Sequence, residues 1–311
     1  MKLATYKDGS RDGQLVVVSR DLSSAHFANG IATRLQQVLD DWNFLSPQLE
    51  DLATTLNHGK ARHAFAFDPA MCMAPLPRAC QWAVGSAYLS HPGGPLVYQG
   101  GSDDFLGPCD DAPFTTADEG IDFESGMAVI TGDVPMGTPP AQALEGVRLL
   151  MLANGWTLRH LVSAELAKGH GFFQSKPAAA FSPVAATPDE LGDAWHGGRV
   201  HLTLQSVWNG RTVGRAEAGP EMIFHFGQLL AHLAKTRNLR AGSIVGSGPV
   251  SNQDPARGYS CIAERRGREA LEHGEPRTGF MQYGDTIRIE MKGRDGQSVF
   301  GAIEQTVVEV G

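Results

Sequence analysis

Alternation of apolar and polar residues marks several predicted β-strands along the chain. Residues Lys2–Tyr6 and 14–19 are predicted to form a hairpin around a turn at residues 8–10. The stretch 121–133, IDFESGMAVITGD, predicts one further strand, and Glu124 stands within it among small and apolar side chains. Because a buried carboxylate needs a cation, a metal ion or several hydrogen-bond donors, Glu124 either lies at the sheet surface or belongs to a site.

Apolar residues at spacings of three and four predict four helices. The first covers residues 31–42 and the second residues 47–56. A third is predicted to start at Thr138 as N-cap, with a buried stripe that continues to Met151. The fourth covers residues 221–236, where apolar side chains again recur on one face.

Two more pairs of strands and one long loop complete the pattern. Residues 199–205 and 211–215 are predicted to pair across an Asn-Gly turn, the strongest short-range hairpin signal. Residues 285–291 and 298–310 predict two long strands joined by a turn. Residues 80–120 consist almost entirely of turn-forming sequence, and a long loop of this kind either lines a site or crosses the surface.

The 311-residue chain is 42% hydrophobic and contains 37 glycines and 18 prolines, with a net charge of −8. This composition is typical of a β-rich or mixed fold. The length suffices for one large and one small domain, divided at a proline-bounded joint into residues 1–75 and 76–311. The negative charge argues against nucleic acid or an anionic membrane as a partner.

No apolar run approaches 18 residues and no apolar leader precedes the first strand, so we expect a soluble, cytoplasmic protein. The four cysteines are scattered and have no C-x-x-C spacing. We expect them to be reduced, with neither a zinc site nor disulfides.

Four segments resemble motifs of the fumarylacetoacetate hydrolase (FAH) family. DFESG at 122–126 is similar to the family pattern D-[YFW]-E-x-E, and KGHGFFQSKPAAAFSP at 168–183 to its most recognisable stretch. GSIVGSGPVS at 242–251 and YSCIAERR at 259–266 match two further family segments. The resemblance covers roughly residues 75–311. It implies an α+β, mostly β fold, in which an FAH-type β-roll core with flanking helices follows a small N-terminal α/β domain.

The resemblance also implies the site residues. His91 corresponds to the catalytic histidine, Glu264 to the glutamate that orients it, and Lys176 to a lysine directed at a substrate carbonyl oxygen. The residues implied in substrate binding are Arg159, Ser247, Ser251, Tyr88 and Gln174. By family habit, the partners are a small-molecule substrate and a second copy of the chain in a homodimer.

Three of the four carboxylates that hold a divalent cation in the family are replaced in this chain. Glu124 remains, whereas Val84, Gly126 and Gly155 stand at the other positions. Mg²⁺ and Ca²⁺ need several oxygen ligands, so we expect no metal and no cofactor. Pro249 also replaces a threonine of the substrate-binding loop, which removes a hydroxyl and a backbone donor.

Three functional hypotheses follow. The first is a metal-independent enzyme in which His91 and Glu264 move protons on an enolisable 1,3-dicarbonyl or polyketide-like substrate, as an isomerase, cyclase, lyase or hydrolase. The second is a fumarylacetoacetase or acylpyruvate-type hydrolase of carbon–carbon bonds that depends on Mg²⁺ or Ca²⁺. Its cation would be held by acidic loop residues, which are Asp103, Asp104, Asp110 and Asp111. The third is a non-catalytic protein that serves as a binding or assembly partner. For His91 itself, the alternative to a general base is a residue that caps its own turn and faces solvent.

Overall fold

The computed structural model describes residues 1–310, which form six α-helices and twenty β-strands. The helices are α1 Leu35–Asp40, α2 Trp42–Asn57, α3 Pro140–Leu144, α4 Arg159–Ala167, α5 Phe226–Leu233 and α6 Ile262–His273. The first ten strands are β1 Lys2–Tyr6, β2 Gln14–Val18, β3 Ser24–Phe27, β4 Phe65–Ala66, β5 Gln81–Gly85, β6 Val97–Gly100, β7 Ala112–Phe114, β8 Ile121–Asp122, β9 Ser125–Thr131 and β10 Val147–Asn154. The other ten are β11 Thr157–Leu158, β12 Ala180–Phe181, β13 Ala185–Ala186, β14 Trp195–His196, β15 Arg199–Val200, β16 Thr203–Trp208, β17 Arg211–Glu217, β18 Ser243–Pro249, β19 Thr286–Met291 and β20 Ile303–Glu309.

Eleven strands form one large sheet in the spatial order β4-β3-β2-β1-β13-β10-β9-β18-β5-β6, with β12 paired to β10. A second sheet has the order β17-β16-β19-β20-β7, and β8–β11 and β14–β15 form two small ribbons. Strand β18 runs parallel to β5, so both end at the same edge of the large sheet. The predicted α+β, mostly β architecture is therefore confirmed.

The central strand β9 is apolar because both of its faces are covered. All seven of its residues are buried. Met127 and Val129 pack into a core shared with the second sheet, whereas Ala128 and Ile130 pack into a core shared with α1 and α2. A strand buried on both faces has a nearly continuous apolar sequence, which is what the residues of β9 show.

The N-terminal predictions are confirmed. Strands β1 and β2 pair as an antiparallel hairpin, and helix α1 falls within the first segment of helical spacing. Helix α2 contains the second segment, residues 47–56, and starts five residues before it. Strand β1 also pairs with β13. The first strands of the chain therefore extend the large sheet of the main part of the molecule. Within residues 1–310, none of the helices combines the length and the apolar character needed to cross a lipid bilayer.

The strand predicted at residues 121–133 is interrupted at Phe123 and Glu124. Strand β8 before the interruption pairs with β11, and β9 after it belongs to the large sheet. The backbone of Glu124 is held by other partners: its N–H donates to the Asn154 side chain at 3.0 Å, and its carbonyl accepts from the Gly155 N–H at 2.9 Å. The break allows the Glu124 side chain to leave the sheet and enter the cavity described below.

The helix predicted from Thr138 to Met151 is wrong beyond its first turns. Helix α3 spans only Pro140–Leu144, and Val147–Asn154 is strand β10, paired with β9 and with β12 and β13. Periodicity alone does not distinguish a short buried helix from a strand that is apolar on both faces.

Two further predictions need correction. The helix at residues 221–236 is confined to α5, because the backbone N–H groups of Ile223 and Phe224 donate to the carbonyl of Ala87 instead. The segment 80–120 is not all loop, since it contains β5, β6 and β7. The Asn209–Gly210 hairpin and the terminal β19–β20 pair are confirmed, although β20 begins later than predicted. The turn residues Asn209 and Gly210 have positive φ angles of 49° and 73°.

Candidate active site

A cavity of about 550 Å³ lies where the parallel strands β5 and β18 end. Its wall also contains residues of β6, of α4, and of the first turn of α6. Of the residues predicted from the sequence, those that line it are Tyr88, His91, Glu124, Arg159, Lys176, Ser247, Ser251 and Glu264. Gln174 is exposed to solvent and does not line the cavity.

Glu124 is the most buried charged group of the cavity wall, with 7% of its side chain exposed. Its Oε1 accepts hydrogen bonds from Nη2 of Arg159 at 2.7 Å, from Nζ of Lys176 at 3.0 Å and from the hydroxyl of Thr157 at 3.0 Å. Lys176 also donates to the Thr157 hydroxyl at 2.7 Å. Two cations of the protein itself therefore balance the buried carboxylate.

A second buried carboxylate joins this arrangement. Asp122 is fully buried and accepts from Nε of Arg159 at 2.8 Å. It also accepts from the backbone N–H groups of Ile262 and Ala263, at 2.7 and 2.9 Å, which are the free donors at the start of α6. Asp122, Glu124, Arg159 and Lys176, called the ionic cluster below, contain two negative and two positive charges.

Burial and charge act in opposite directions on the pKa values of the cluster. Burial would raise the pKa of Glu124, but the charges of Lys176 and Arg159 outweigh it and lower that pKa below its ordinary value. Burial would likewise lower the pKa of Arg159, but Glu124 and Asp122 keep it raised. For Lys176 burial prevails, and its pKa is lowered despite the neighbouring Glu124.

Aromatic rings continue the wall outward from Lys176. Its Nζ lies 4.8 Å from the centroid of the Tyr98 ring, which is a cation–π contact. The rings of Tyr98 and Phe172 pack in a T-shaped arrangement with their centroids 5.4 Å apart. Cys261, the N-cap of α6, also lines the cavity. Burial raises the pKa of the Cys261 thiol, so it carries no thiolate character.

The residues at the family's metal position do not fit a divalent cation. The positions of the four family carboxylates, now Val84, Glu124, Gly126 and Gly155, do converge on one small void. Its volume is about 10 Å³, room for a single water molecule. Glu124 is the one oxygen-bearing side chain among the four, and its Oε1 already faces two cations. Within residues 1–310, no three side chains of His, Cys, Asp or Glu lie together in a way that could hold a metal ion.

Gly126 is packed too tightly to carry a side chain. A Cβ at this position would lie 2.5 Å from the carbonyl oxygen of Gly248. Gly126 pairs in register with Pro249, just after a bulge in the β18–β9 ladder. Two departures from the family pattern, at positions 126 and 249, therefore meet at one point of the sheet.

His91 and Glu264 both line the cavity, but the predicted hydrogen bond between them is not present. Glu264 accepts instead from Nη2 of Arg268 at 2.6 Å and from the hydroxyl of Ser251 at 2.8 Å. Arg268 lies four residues further along α6, which places the two side chains side by side. The Nε2 atom of His91 is buried and has no hydrogen-bond partner among the described residues.

Three residues predicted to bind substrate use their hydroxyl donors within the protein. Tyr88 donates to the carbonyl of Ala218 at 2.6 Å, and burial raises its pKa. Ser247 donates to the carbonyl of Gly248 at 2.7 Å, and Ser251 donates to Glu264. Tyr88 therefore presents its ring to the cavity, and the charged donors of the wall come from the ionic cluster.

The acidic loop residues proposed as alternative metal ligands do not reach the cavity. Asp103, Asp104, Asp110 and Asp111 are absent from its wall. Asp110 pairs with Lys7 at 2.7 Å and accepts from the backbone N–H of Gly107. These contacts hold the loop against the N-terminal strands.

Sequence reasoning did not find Glu165, which positions Lys176. The carboxylate of Glu165, on α4, accepts hydrogen bonds from the backbone N–H groups of Phe173, Gln174 and Ser175 and from the Ser175 hydroxyl. Burial would raise the pKa of Glu165, but these donors lower it to about 2. The segment that ends in Lys176 is thereby held in place, by a contact that no local motif reveals. Asp122, by contrast, was open to prediction because it is the first residue of the D-F-E motif.

Comparison with known proteins identifies the family. The family described as "Fumarylacetoacetate (FAA) hydrolase C-terminal" matches residues 72–308, and "Fumarylacetoacetase N-terminal domain 2" matches residues 1–78. The chain belongs to the fumarylacetoacetate hydrolase family. The FAH-type core expected from the sequence motifs is thus confirmed.

Solved structures of other FAH-type proteins share the fold over the whole chain. The fumarylacetoacetate hydrolase of Exiguobacterium antarcticum is 18% identical, with a TM-score of 0.72 and 100% of both chains covered. The maleylpyruvate hydrolase of Sphingobium sp. SYK-6, solved with manganese(II) and pyruvate, is 15% identical, with a TM-score of 0.68 and 100% of both chains covered. The 5-carboxymethyl-2-hydroxymuconate delta-isomerase of Mycobacterium smegmatis is 15% identical, with a TM-score of 0.62 and the same coverage. No curated protein matches the chain in sequence.

A Glu165→Gln substitution tests the positioning of Lys176 in this FAH-family protein. The depressed pKa means that the carboxylate's contribution is present above its ordinary pKa of 4.5 and is lost as pH falls toward about 2. We expect hydrogen exchange of the amides of residues 173–176, corrected for intrinsic rates, to accelerate over this interval in the native protein. In Glu165→Gln it should be fast throughout. The exposed Glu272→Gln is the control and should behave as the native protein. Equal protection in both variants would contradict the assignment.

A pair of glycine substitutions tests the packing around Glu124. Gly126→Ala forces a Cβ against the Gly248 carbonyl and should lower the free energy of unfolding by about 1–3 kcal/mol, the usual cost of overpacking. Gly155→Ala places its Cβ 3.3 Å from a carboxylate oxygen of Glu124, a contact that a shift of a few tenths of an ångström relieves, and should cost less. Urea unfolding of both variants measures the difference. An equal loss of unfolding free energy in the two variants would mean that the Gly248 backbone moves aside, which would contradict the tight packing at Gly126.

Proposed function

We propose that this FAH-family protein is a metal-independent enzyme that moves protons on an enolisable 1,3-dicarbonyl or polyketide-like acid. The observation that carries the proposal is the pairing of Glu124 with Lys176 and Arg159 in the wall of a cavity that also contains an unpartnered His91 nitrogen. Neighbours of similar fold are named as a hydrolase of maleylpyruvate and an isomerase of a hydroxymuconate, both carbonyl-type acids. A family that includes hydrolases and isomerases supports an enzyme in general terms.

In the proposed mechanism, the ionic cluster binds the oxygen that becomes negative. Lys176 donates two of its three N–H bonds to Glu124 and Thr157, which leaves one for a ligand. Arg159 uses Nε and Nη2 for Asp122 and Glu124, and its Nη1 makes no hydrogen bond within residues 1–310. These two remaining donors would stabilise an enolate in a poorly solvated place, where a fixed charge acts most strongly.

His91 would serve as the base. A proton on a carbon between two carbonyl groups is acidic because the resulting negative charge is shared by both oxygens. Nε2 of His91 would remove this proton and return it at another position, which gives tautomerisation. For cleavage, Nε2 would instead take a proton from a water molecule that adds to one carbonyl. The C–C bond beside that carbonyl would then break, and the enolate that leaves would take up the proton. Glu264 is held by Arg268 and Ser251, so His91 would act as the base without the predicted hydrogen bond from a carboxylate.

A His91→Gln variant tests the base. With 2,4-dioxopentanoate as the probe, we expect the native protein to accelerate exchange of the C3 protons with deuterated water, measured by NMR against buffer. Loss of a general base should lower this acceleration by about 10²–10⁴-fold in His91→Gln. The matched control is His273→Gln, an exposed residue at the end of α6 outside the cavity, which should keep the native rate. Full exchange activity in His91→Gln, or none in the native protein, would refute the proposal.

A metal titration tests whether side chains of the protein, Lys176 and Arg159, neutralise Glu124 in place of a divalent cation. We expect the protein, dialysed against a chelator, to retain no stoichiometric divalent metal and to keep its exchange activity, because the carboxylate is neutralised by side chains. Elemental analysis and Mn²⁺ titration followed by electron paramagnetic resonance provide the measurement. Near-stoichiometric Mn²⁺ that is lost in Glu124→Gln, with folding of that variant checked by circular dichroism, would instead favour the metal-dependent hydrolase.

A further inference from the structure

The cavity has two chemically different ends. At the inner end lies the ionic cluster, where the Lys176 side chain is only 8% exposed. From there Tyr98 and Phe172 lead outward by ring contacts. The rim carries Leu89 and Leu96, two apolar side chains that are 57% and 60% exposed. Exposed leucines at the mouth of a cavity are typical of a binding surface rather than of packing.

The cationic side chains of the cavity wall lie at one end only. Lys176 and Arg159 are the lysine and arginine in its wall, and both belong to the ionic cluster. Both cations donate to Oε1 of Glu124, and each keeps a free donor, one N–H of Lys176 and Nη1 of Arg159. These two donors can bind one small anionic head group, such as the carboxylate and adjacent oxygen of a keto acid.

A second carboxylate at the far end of a ligand would find no cation there. Away from the cluster, the charged side chain in the wall is Glu264, which is negative, and its partner Arg268 does not line the cavity. His91 is neutral when it acts as a base. The hydroxyl groups of Tyr88 and Ser247 are used within the protein. The outer part of the cavity therefore disfavours a second carboxylate.

We propose that the substrate is a monoanionic keto acid with an apolar tail, bound with its acidic end at the ionic cluster and its tail along Phe172, Leu89 and Leu96. The proposal rests on the proposed function for the chemistry of the head group, and it adds the class of the tail. A cavity of about 550 Å³ accepts a tail of several carbons or an aromatic ring besides the head group.

A series of 2,4-dioxo acids tests the tail. Binding of 2,4-dioxopentanoate, 2,4-dioxooctanoate and 2,4-dioxodecanoate to the full chain is measured by calorimetry, with His91→Gln as the protein where turnover interferes. We expect the Kd to fall by about two- to fourfold per added methylene. The matched dicarboxylate, 2,4-dioxodecanedioate, replaces the terminal methyl group by a carboxylate and should bind at least tenfold more weakly than 2,4-dioxodecanoate.

A variant with a positive charge at the rim tests whether the missing cation causes the preference for the monoacid. Leu96→Lys provides the missing cation at an exposed position and should reverse the preference in favour of the dicarboxylate. The control Leu271→Lys introduces the same charge on α6 at a residue that is 90% exposed and outside the cavity, and should leave the preference unchanged. Equal or tighter binding of the dicarboxylate to the native protein, absence of a chain-length effect, or no binding by any member would overturn the proposal.

The two proposals fail in different measurements. If proton exchange survives in His91→Gln while the Kd still falls with chain length, the base assignment is wrong and the tail assignment stands. If exchange depends on His91 but the dicarboxylate binds as tightly as the monoacid, the tail assignment is wrong and the base assignment stands.

Discussion

A carboxylate buried in the wall of a cavity must be neutralised, and this requirement governs the arrangement around Glu124. An ion left alone in such a place costs several kcal/mol, more than most single contacts return. Lys176 and Arg159 meet the requirement, and Arg159 in turn brings Asp122 into the same set. Removing any one of these groups would leave another buried charge without its partner, so the four are mutually dependent.

The same set joins parts of the chain that are distant in sequence. Asp122 receives the first N–H groups of α6, the helix that carries Glu264, while Arg159 begins α4. Glu165, six residues further along α4, holds the segment that presents Lys176. The position of each cavity residue therefore depends on charge pairing between elements as well as on the apolar cores. A site supported in this way is pre-organised, which an electrostatic mechanism requires.

The sequence predicted the parts of the molecule whose signal is local. The Asn209–Gly210 turn, helix α2 and the motif segments that carry Lys176 and Glu264 were readable because neighbouring residues determine them. Strand β10 was mistaken for a helix because its partners on both sides lie elsewhere in the chain. Gln174 shares a motif with Lys176 yet points to solvent, since the backbone of that segment turns around Glu165. The partner of Glu264 was open to prediction, because Arg268 stands at the i+4 position of the same helix.

The contact of Gly126 with the carbonyl of Gly248 restricts the substitutions that the site can accept. A carboxylate at position 126 would first require the neighbouring strand to move away, and that strand now contains Pro249, whose ring fixes its backbone. A side chain introduced at position 126 alone would therefore destabilise the sheet before it could contribute a ligand. The contact makes substitution at this point cooperative: the rest of the cavity wall can vary residue by residue, whereas a carboxylate at position 126 needs coordinated changes in both strands.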